Sequence, residues 1–115
     1  MTKEYDLENR TFVFAKSVRE YVKKLPKTQT NFEYSSQLIR SSGSVAANYI
    51  EANESLSRKD FYMRIKISKK EAKESKLWLN LAEPSKDFLK DQEILINESL
   101  ELVKIFSTIL KNASA

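Results

Sequence analysis

Helix breakers are what this chain lacks. One glycine and two prolines are spread over 115 residues, and the prolines fall at positions 26 and 84. Proline has no amide hydrogen and pushes the residue before it out of the α region, so each of the two ends a helix. The stretch NESLSRKD, residues 53–60, adds a third mark between them. Between these marks the apolar residues recur with helical rather than alternating spacing. The pattern predicts four helices, over about residues 7–25, 31–54, 58–82 and 92–111.

Each segment carries one apolar stripe. In the first it is Leu7, Phe14, Val18, Tyr21 and Leu25, with Thr11 in the gap. The second has Tyr34, Leu38, Val45, Tyr49, Ala52 and Leu56, with Ser41 and Ser42 filling the missing turn. Thr28 or Thr30 is placed to cap it. Gly43 sits mid-helix at a cost of about 1 kcal/mol relative to alanine, and because the period continues through it, close helix approach is expected there. Ser57 followed by Asp60 resembles a capping box for the third segment. That helix shows Phe61, Ile65, Ser68, Ala72, Ser75, Leu79 and Ala82 inward, so its middle is small and admits a close neighbour. Asp91 is the expected cap of the fourth, where Leu95, Ser99, Leu102, Phe106 and Ile109 line up, widened by Ile96, Val103 and Leu110. The tail NASA is expected to fray. Short links between long amphipathic helices favour antiparallel neighbours, hence an all-α, up-down-up-down four-helix bundle forming one domain over residues 1–115.

Several chemistries drop out. The chain has no histidine and no cysteine, which removes the ordinary zinc site, the thiol nucleophile, the disulfide framework and the Ser-His triad. Helix-bundle di-iron sites need Glu-x-x-His motifs, and phosphate loops need more than one glycine. What is left for catalysis is serine with a lysine base, or paired carboxylates such as Glu51 and Glu54. Nothing in the spacing brings a nucleophile, a base and an anion hole together. The expectation is a protein that is not an enzyme, with no cofactor, metal or small-molecule substrate. Apolar runs reach four residues at most, far short of the roughly 20 a membrane span needs. The start, MTKEYDLENR, is charged and unlike a secretory signal, so cytoplasm is expected.

Charge is concentrated. Between Arg58 and Lys76 eight basic residues face three acids, a net +5 in a chain of net +4. At 100° per residue Lys59, Lys66, Lys69, Lys70, Lys73 and Lys76 fall within roughly 120° of arc, opposite the Phe61/Ile65/Ala72/Leu79 stripe. Such a row can follow a phosphate backbone and release counterions, and Tyr62 on the same face can stack on a base. It can also be a solvated outer face, as most charged helix faces are, and the residues alone favour that reading slightly. Lysine lacks the bidentate fork of arginine, so any contact would be electrostatic and tolerant of sequence.

On the second helix Arg40, Ser44, Ala47, Asn48 and Glu51 form one stripe of polar and small groups. Arg40 and Glu51 lie about 16 Å apart along the axis, too far to pair with each other. An exposed polar face would satisfy this composition. Ser41-Ser42-Gly43-Ser44 is nonetheless a poor choice for a free helix surface, where Ala, Glu and Lys propagate better. Packing is therefore favoured, against another helix or another subunit, with Asn48 and the charged ends setting register. Apolar residues away from the main stripes (Met63, Ile67, Trp78 and Leu81; Ile94 and Ile105) point to a wide core stripe or contact with another chain.

These residues are familiar. QLIRSSGSVAANYIEANESLSRKDFYMRIKISKKEAKESKLWLNL resembles the central signature of the bacterial four helix bundle protein family, which includes the proteins encoded by intervening sequences in 23S ribosomal RNA genes. The matching positions are Arg40, Ser41, Ser44, Ala47, Asn48, Glu51, Phe61, Glu71, Ala72, Glu74, Ser75, Trp78 and Leu79. The flanks DLENRTFVFA and KLPKT agree too, so the resemblance covers nearly the whole chain. Ala52-Asn53 departs from it where members often have Gly or Ala in a tighter turn. The resemblance implies an antiparallel four-helix bundle that assembles into a ring, typically a homopentamer. A related branch serves as the accessory protein of diversity-generating retroelements, with a basic ring surface thought to bind nucleic acid. By this resemblance the partners are further copies of the chain and RNA or DNA, in a ribosome-associated setting. An oligomeric scaffold for protein partners is the alternative. Pairing of Glu71 and Glu74 with Arg40 or nearby lysines is expected across the packed stripe.

Overall fold

The computed structural model describes residues 6–114. Four helices follow one another: α1 over Leu7–Lys23, α2 over Gln29–Asn53, α3 over Arg58–Leu81 and α4 over Leu89–Lys111. Single 3-10 turns, Lys86–Phe88 and Asn112–Ser114, sit on either side of α4. The tail expected to fray thus begins as a turn, with Ala115 outside the described residues. Half of the charged start, residues 1–5, also lies outside them.

The capping chemistry explains most boundaries. Thr28 accepts a hydrogen bond from the Asn31 amide at 3.2 Å, so α2 opens at Gln29 and Thr30 lies inside it. Ser57 accepts from the Asp60 amide at 3.1 Å and starts α3. α1 stops two residues before Leu25, where the Lys24 and Leu25 amides turn back to the Tyr21 and Val22 carbonyls at 3.0 and 3.2 Å. At the far end of α3, Ala82 is already extended, two residues ahead of Pro84. The expected cap of α4 is corrected. The Lys86–Phe88 turn feeds the chain straight into helix at Leu89, so Asp91 stands within the first turn, its carboxylate 3.8 Å from Lys24 Nζ.

Successive helices run antiparallel. The start of α2 meets the end of α3, as Tyr34 stacks on Trp78, while Asn48 meets Arg64 near the other end. Likewise Lys24, just past α1, reaches Asp91 at the head of α4, and Arg10 reaches Glu98. The result is a four-helix bundle of 46 × 26 × 20 Å. Its core holds Phe14, Val18, Leu38, Val45, Ile65, Leu79, Leu102 and Phe106, all buried. Leu56, placed on the α2 stripe by its spacing, is instead fully exposed in the turn after that helix.

The α2–α3 seam is sealed by serines. Ser41 and Ser75 share a buried hydrogen bond of 2.8 Å, and Ser68 donates across the seam to the Val45 carbonyl at 3.0 Å. Contact between a serine hydroxyl and a facing backbone requires the helices to approach closely, which larger side chains would prevent. At the proline end, Asn31 clasps both loops. Its amide nitrogen donates to the Pro26 and Glu83 carbonyls at 3.1 and 3.0 Å, and its oxygen accepts from the Glu83 amide at 2.8 Å. Gln92 donates to the Leu79 and Ala82 carbonyls, which α3 leaves unpaired at its end.

Candidate nucleic-acid interface

α3 carries eight basic residues, and the structure separates them from the helix's own acids. Asp60 lies in the first turn, where the helix dipole favours a carboxylate. Glu71 is buried against α2 and accepts from Arg40 at 3.2 Å, and Glu74 accepts from the same guanidinium at 3.2 Å. Both carboxylates are therefore committed to α2. Lys59, Lys66, Lys70 and Lys73 are exposed, while Lys69, Lys76 and Tyr62 are half-buried. Among the described residues none of these six lysines makes an ion pair. Tyr62 stands edge-on to Phe61 at 5.2 Å between centroids, which fixes its ring on the outer side of the helix.

The α2 stripe divides. Arg40, Ser44 and Asn48 turn to the α3 seam: Asn48 accepts from Arg64 at 3.0 Å and donates to Ser44 Oγ and to the Ser44 carbonyl, each at 3.0 Å. Arg40 lies at the rim, its side chain 52% exposed against 8% for Glu71. Ala47 and Glu51 are exposed and are not brought to α3. Glu54, paired with Glu51 in sequence, is exposed as well. The close approach expected at Gly43 is not present within the chain. A Cβ built there meets nothing within 4 Å, because Gly43 faces outward on the α1 side of α2 rather than into the serine seam.

The outlying apolar residues separate too. Trp78 and Ile105 pack against the core, Ile67 is half-buried, and Met63, Leu81 and Ile94 are exposed. A further apolar face, on α1 and α2, is formed by Phe12, Phe32, Ile39 and Ile50, with Phe32 74% exposed. Its signal was present as the seven- and eleven-residue steps from Phe32 to Ile39 to Ile50. The Asn31 clasp and Gln92 had no such signal, since their partners are backbone groups in distant loops.

Along the α1–α4 seam, Arg10 makes a two-pronged contact to Glu98 at 2.8 and 2.9 Å. Hydrogen bonding to Glu98 outweighs burial and raises the Arg10 pKa. Lower on the seam an open groove is lined by Lys16, Tyr21, Lys24, Asp91 and Ile94. The Tyr21 hydroxyl is buried with no partner among the described residues, and burial, with Asp91 adding, pushes its pKa up to about 12. The described residues contain no group of three or more carboxylates placed to hold a metal ion. None of the described helices is long and apolar enough to cross a membrane.

No curated protein matches the chain in sequence. A crystal structure of a protein of unknown function from the S23 ribosomal protein family of Bacteroides thetaiotaomicron is similar at a TM-score of 0.78. The two are 31% identical, over 90% of this chain and 97% of that one. The sequence profile of the 23S rRNA-intervening sequence proteins matches residues 3–108, covering α1 to α3, all but the last three residues of α4, and both sides of the Arg40–Glu71 contact. By that match the chain belongs to the 23S rRNA-intervening sequence protein family.

Proposed function

We propose that the protein is a non-enzymatic, cytoplasmic homo-oligomer, closed into a ring, that holds RNA or DNA without sequence preference on the basic face of α3. One observation carries this reading: Glu71 and Glu74 are turned onto Arg40, while the row Lys59, Lys66, Lys69, Lys70, Lys73 and Lys76 is left without an ion pair among the described residues. A face meant only for solubility gains from interspersed charges of both signs, which this one lacks. The ribosomal RNA in the family's name makes RNA the first nucleic acid to try. Self-association is supported by the unpartnered apolar face of Phe12, Phe32, Ile39 and Ile50. A homopentamer is the ring size that the resemblance to the four helix bundle family implies.

The test is RNA binding against salt. Five lysines on a single strand give a slope near −3.5 in log K against log salt, so affinity falls about 100-fold between about 50 and 200 mM. Converting Lys59, Lys66, Lys69, Lys70 and Lys73 to glutamine removes that binding; a variant that binds like the parent overturns the reading. Light scattering should give a mass several times the 13.4 kDa of one chain. A mass of one chain at micromolar concentration overturns the ring. The same apolar face also fits a scaffold for other proteins, which predicts an oligomer with no nucleic-acid affinity at low salt.

A further inference from the structure

We infer that the α3 face takes a single strand with unpaired bases rather than a duplex. This rests on the nucleic-acid reading above and adds to it the form of the ligand.

The first observation is what stands among the lysines. Met63 and Leu77 are 50% and 49% exposed, although both lie on the outward side of α3. Met63 has Lys59 one turn before it and Lys66 one turn after, and Leu77 follows Lys73 by one turn. Tyr62 is bracketed in the same way by Lys59 and Lys66, with its ring held edge-on by Phe61. A surface that meets only phosphates has no use for these side chains. In a duplex the base faces are stacked on one another, so apolar groups pressed against the backbone lose water without finding an apolar partner. An unpaired base presents a flat face to stack on an aromatic ring, and methionine adapts its shape to whatever lies against it.

The second observation is the shape of the row. α3 is a single helix of 24 residues, and from Lys59 to Lys76 its lysines run along about 25 Å of a nearly straight line. B-DNA completes a turn in about 34–36 Å, so over that length its backbone winds through most of a turn and leaves the row after the first few phosphates. Entering a major groove about 12 Å wide would let one helix follow the duplex. An RNA duplex closes that route, because its A-form major groove is deep and narrow, and α3, packed against α2 and α4, shows only its outer arc. A single strand is free to lie along the row, phosphates on the ammonium groups and bases on Tyr62, Met63 and Leu77.

The experiment uses the full chain and a fluorescent mixed-sequence RNA of about 20 nucleotides, alone and annealed to its complement, at one fixed salt concentration. The single strand should bind at least tenfold tighter. Tyr62→Ala should weaken single-strand binding by roughly tenfold, in line with loss of one stacked base, and leave duplex binding unchanged. Tyr62→Phe keeps the ring and should bind like the parent. A second variant, Met63→Gln with Leu77→Gln, changes only exposed side chains and should narrow the gap between the two RNAs without loss of folding. Equal or tighter duplex binding overturns the inference while leaving the basic-face reading intact. Binding to neither RNA at low salt overturns both.

Discussion

The two long seams of the bundle are built on opposite chemistries. Between α2 and α3 the helices meet through small polar groups: Ser41 on Ser75, Ser68 on the Val45 carbonyl, and outside them Asn48 on Arg64 and Arg40 on Glu71 and Glu74. Between α1 and α4 the contact is the slightest of the four around the bundle, held by the Arg10–Glu98 fork and leaving an open groove beside an unpartnered tyrosine hydroxyl. The first seam is fixed by fit. The second is fixed by two ion pairs, the Arg10–Glu98 fork and the longer Lys24–Asp91 contact, and has room to change. The first seam also holds Glu71 and Glu74 on Arg40, away from the lysine face of α3.

The largest effect should come from breaking the fit. Ser75→Leu forces a branched side chain into a fully buried site and leaves the Ser41 hydroxyl without its 2.8 Å partner. Ser41 keeps only its 3.3 Å bond to the Leu38 carbonyl, and overpacking with the lost hydrogen bond should together cost about 3 kcal/mol, read as a fall in the urea midpoint. A loss below about 1 kcal/mol would mean the seam is not closely packed. Next comes Tyr21. Its folded pKa of about 12 lies above the ordinary 10, so the phenol keeps its proton when folded at a pH where the unfolded chain has lost it. That contribution is complete below pH 10 and drains away as the pH climbs toward 12, amounting to about 1.4 kcal/mol by pH 11. Tyr21→Phe should remove this alkaline loss relative to the parent and add about 1 kcal/mol at neutral pH, because it deletes a buried hydroxyl with nothing to bond. An unchanged difference between the two proteins across pH 8 to 11 would show that the hydroxyl ionises as freely in the folded chain as in the unfolded one, and so is reached by water. The Arg10–Glu98 fork is smaller. Both side chains are only about a quarter to a third exposed, and a double-mutant cycle with alanine should give a coupling of about 1 kcal/mol. A coupling near zero would leave α1 held by its apolar stripe and the Lys24–Asp91 contact.

The helices and their inward faces were legible because both are local and periodic. The breakers at Pro26 and Pro84, the caps at Thr28 and Ser57 and the three- and four-residue steps of the apolar stripes suffice for an all-α bundle. Asp91 was misread as a cap because the 3-10 turn before α4 needs no side chain to start it. The lysine row was legible for the same periodic reason. The pairing of Glu71 and Glu74 with Arg40 became an expectation once the family signature set those residues side by side, and the structure makes that contact. The Asn31 clasp was not legible, because a side chain that bonds a loop 52 residues away leaves no pattern along the chain. Nor was the direction in which Gly43 faces, since one glycine in a helix looks the same in sequence whether it meets a neighbour or solvent.

Gly43 is therefore where the comparison between the seams sharpens. The serines of α2 are small because α3 lies against them, and enlarging one should be costly. Gly43 is just as small, yet a Cβ there meets nothing within 4 Å. Its backbone is helical with no positive φ, so alanine fits without strain and removes the extra freedom glycine has in the unfolded chain. Gly43→Ala should raise the stability of the single chain by about 0.5–1 kcal/mol, opposite in sign to Ser75→Leu. The same variant examines the outer face of α1 and α2, where Gly43 lies beside Phe12 and Ile39. If copies of the chain close a ring through that face, the added methyl stands in the contact, and light scattering on Gly43→Ala should show a lower mass than the parent at equal concentration. A variant that is more stable and equally associated would place the contact between copies elsewhere on the bundle, and Gly43 would then be a weak point in α2 with no compensating use.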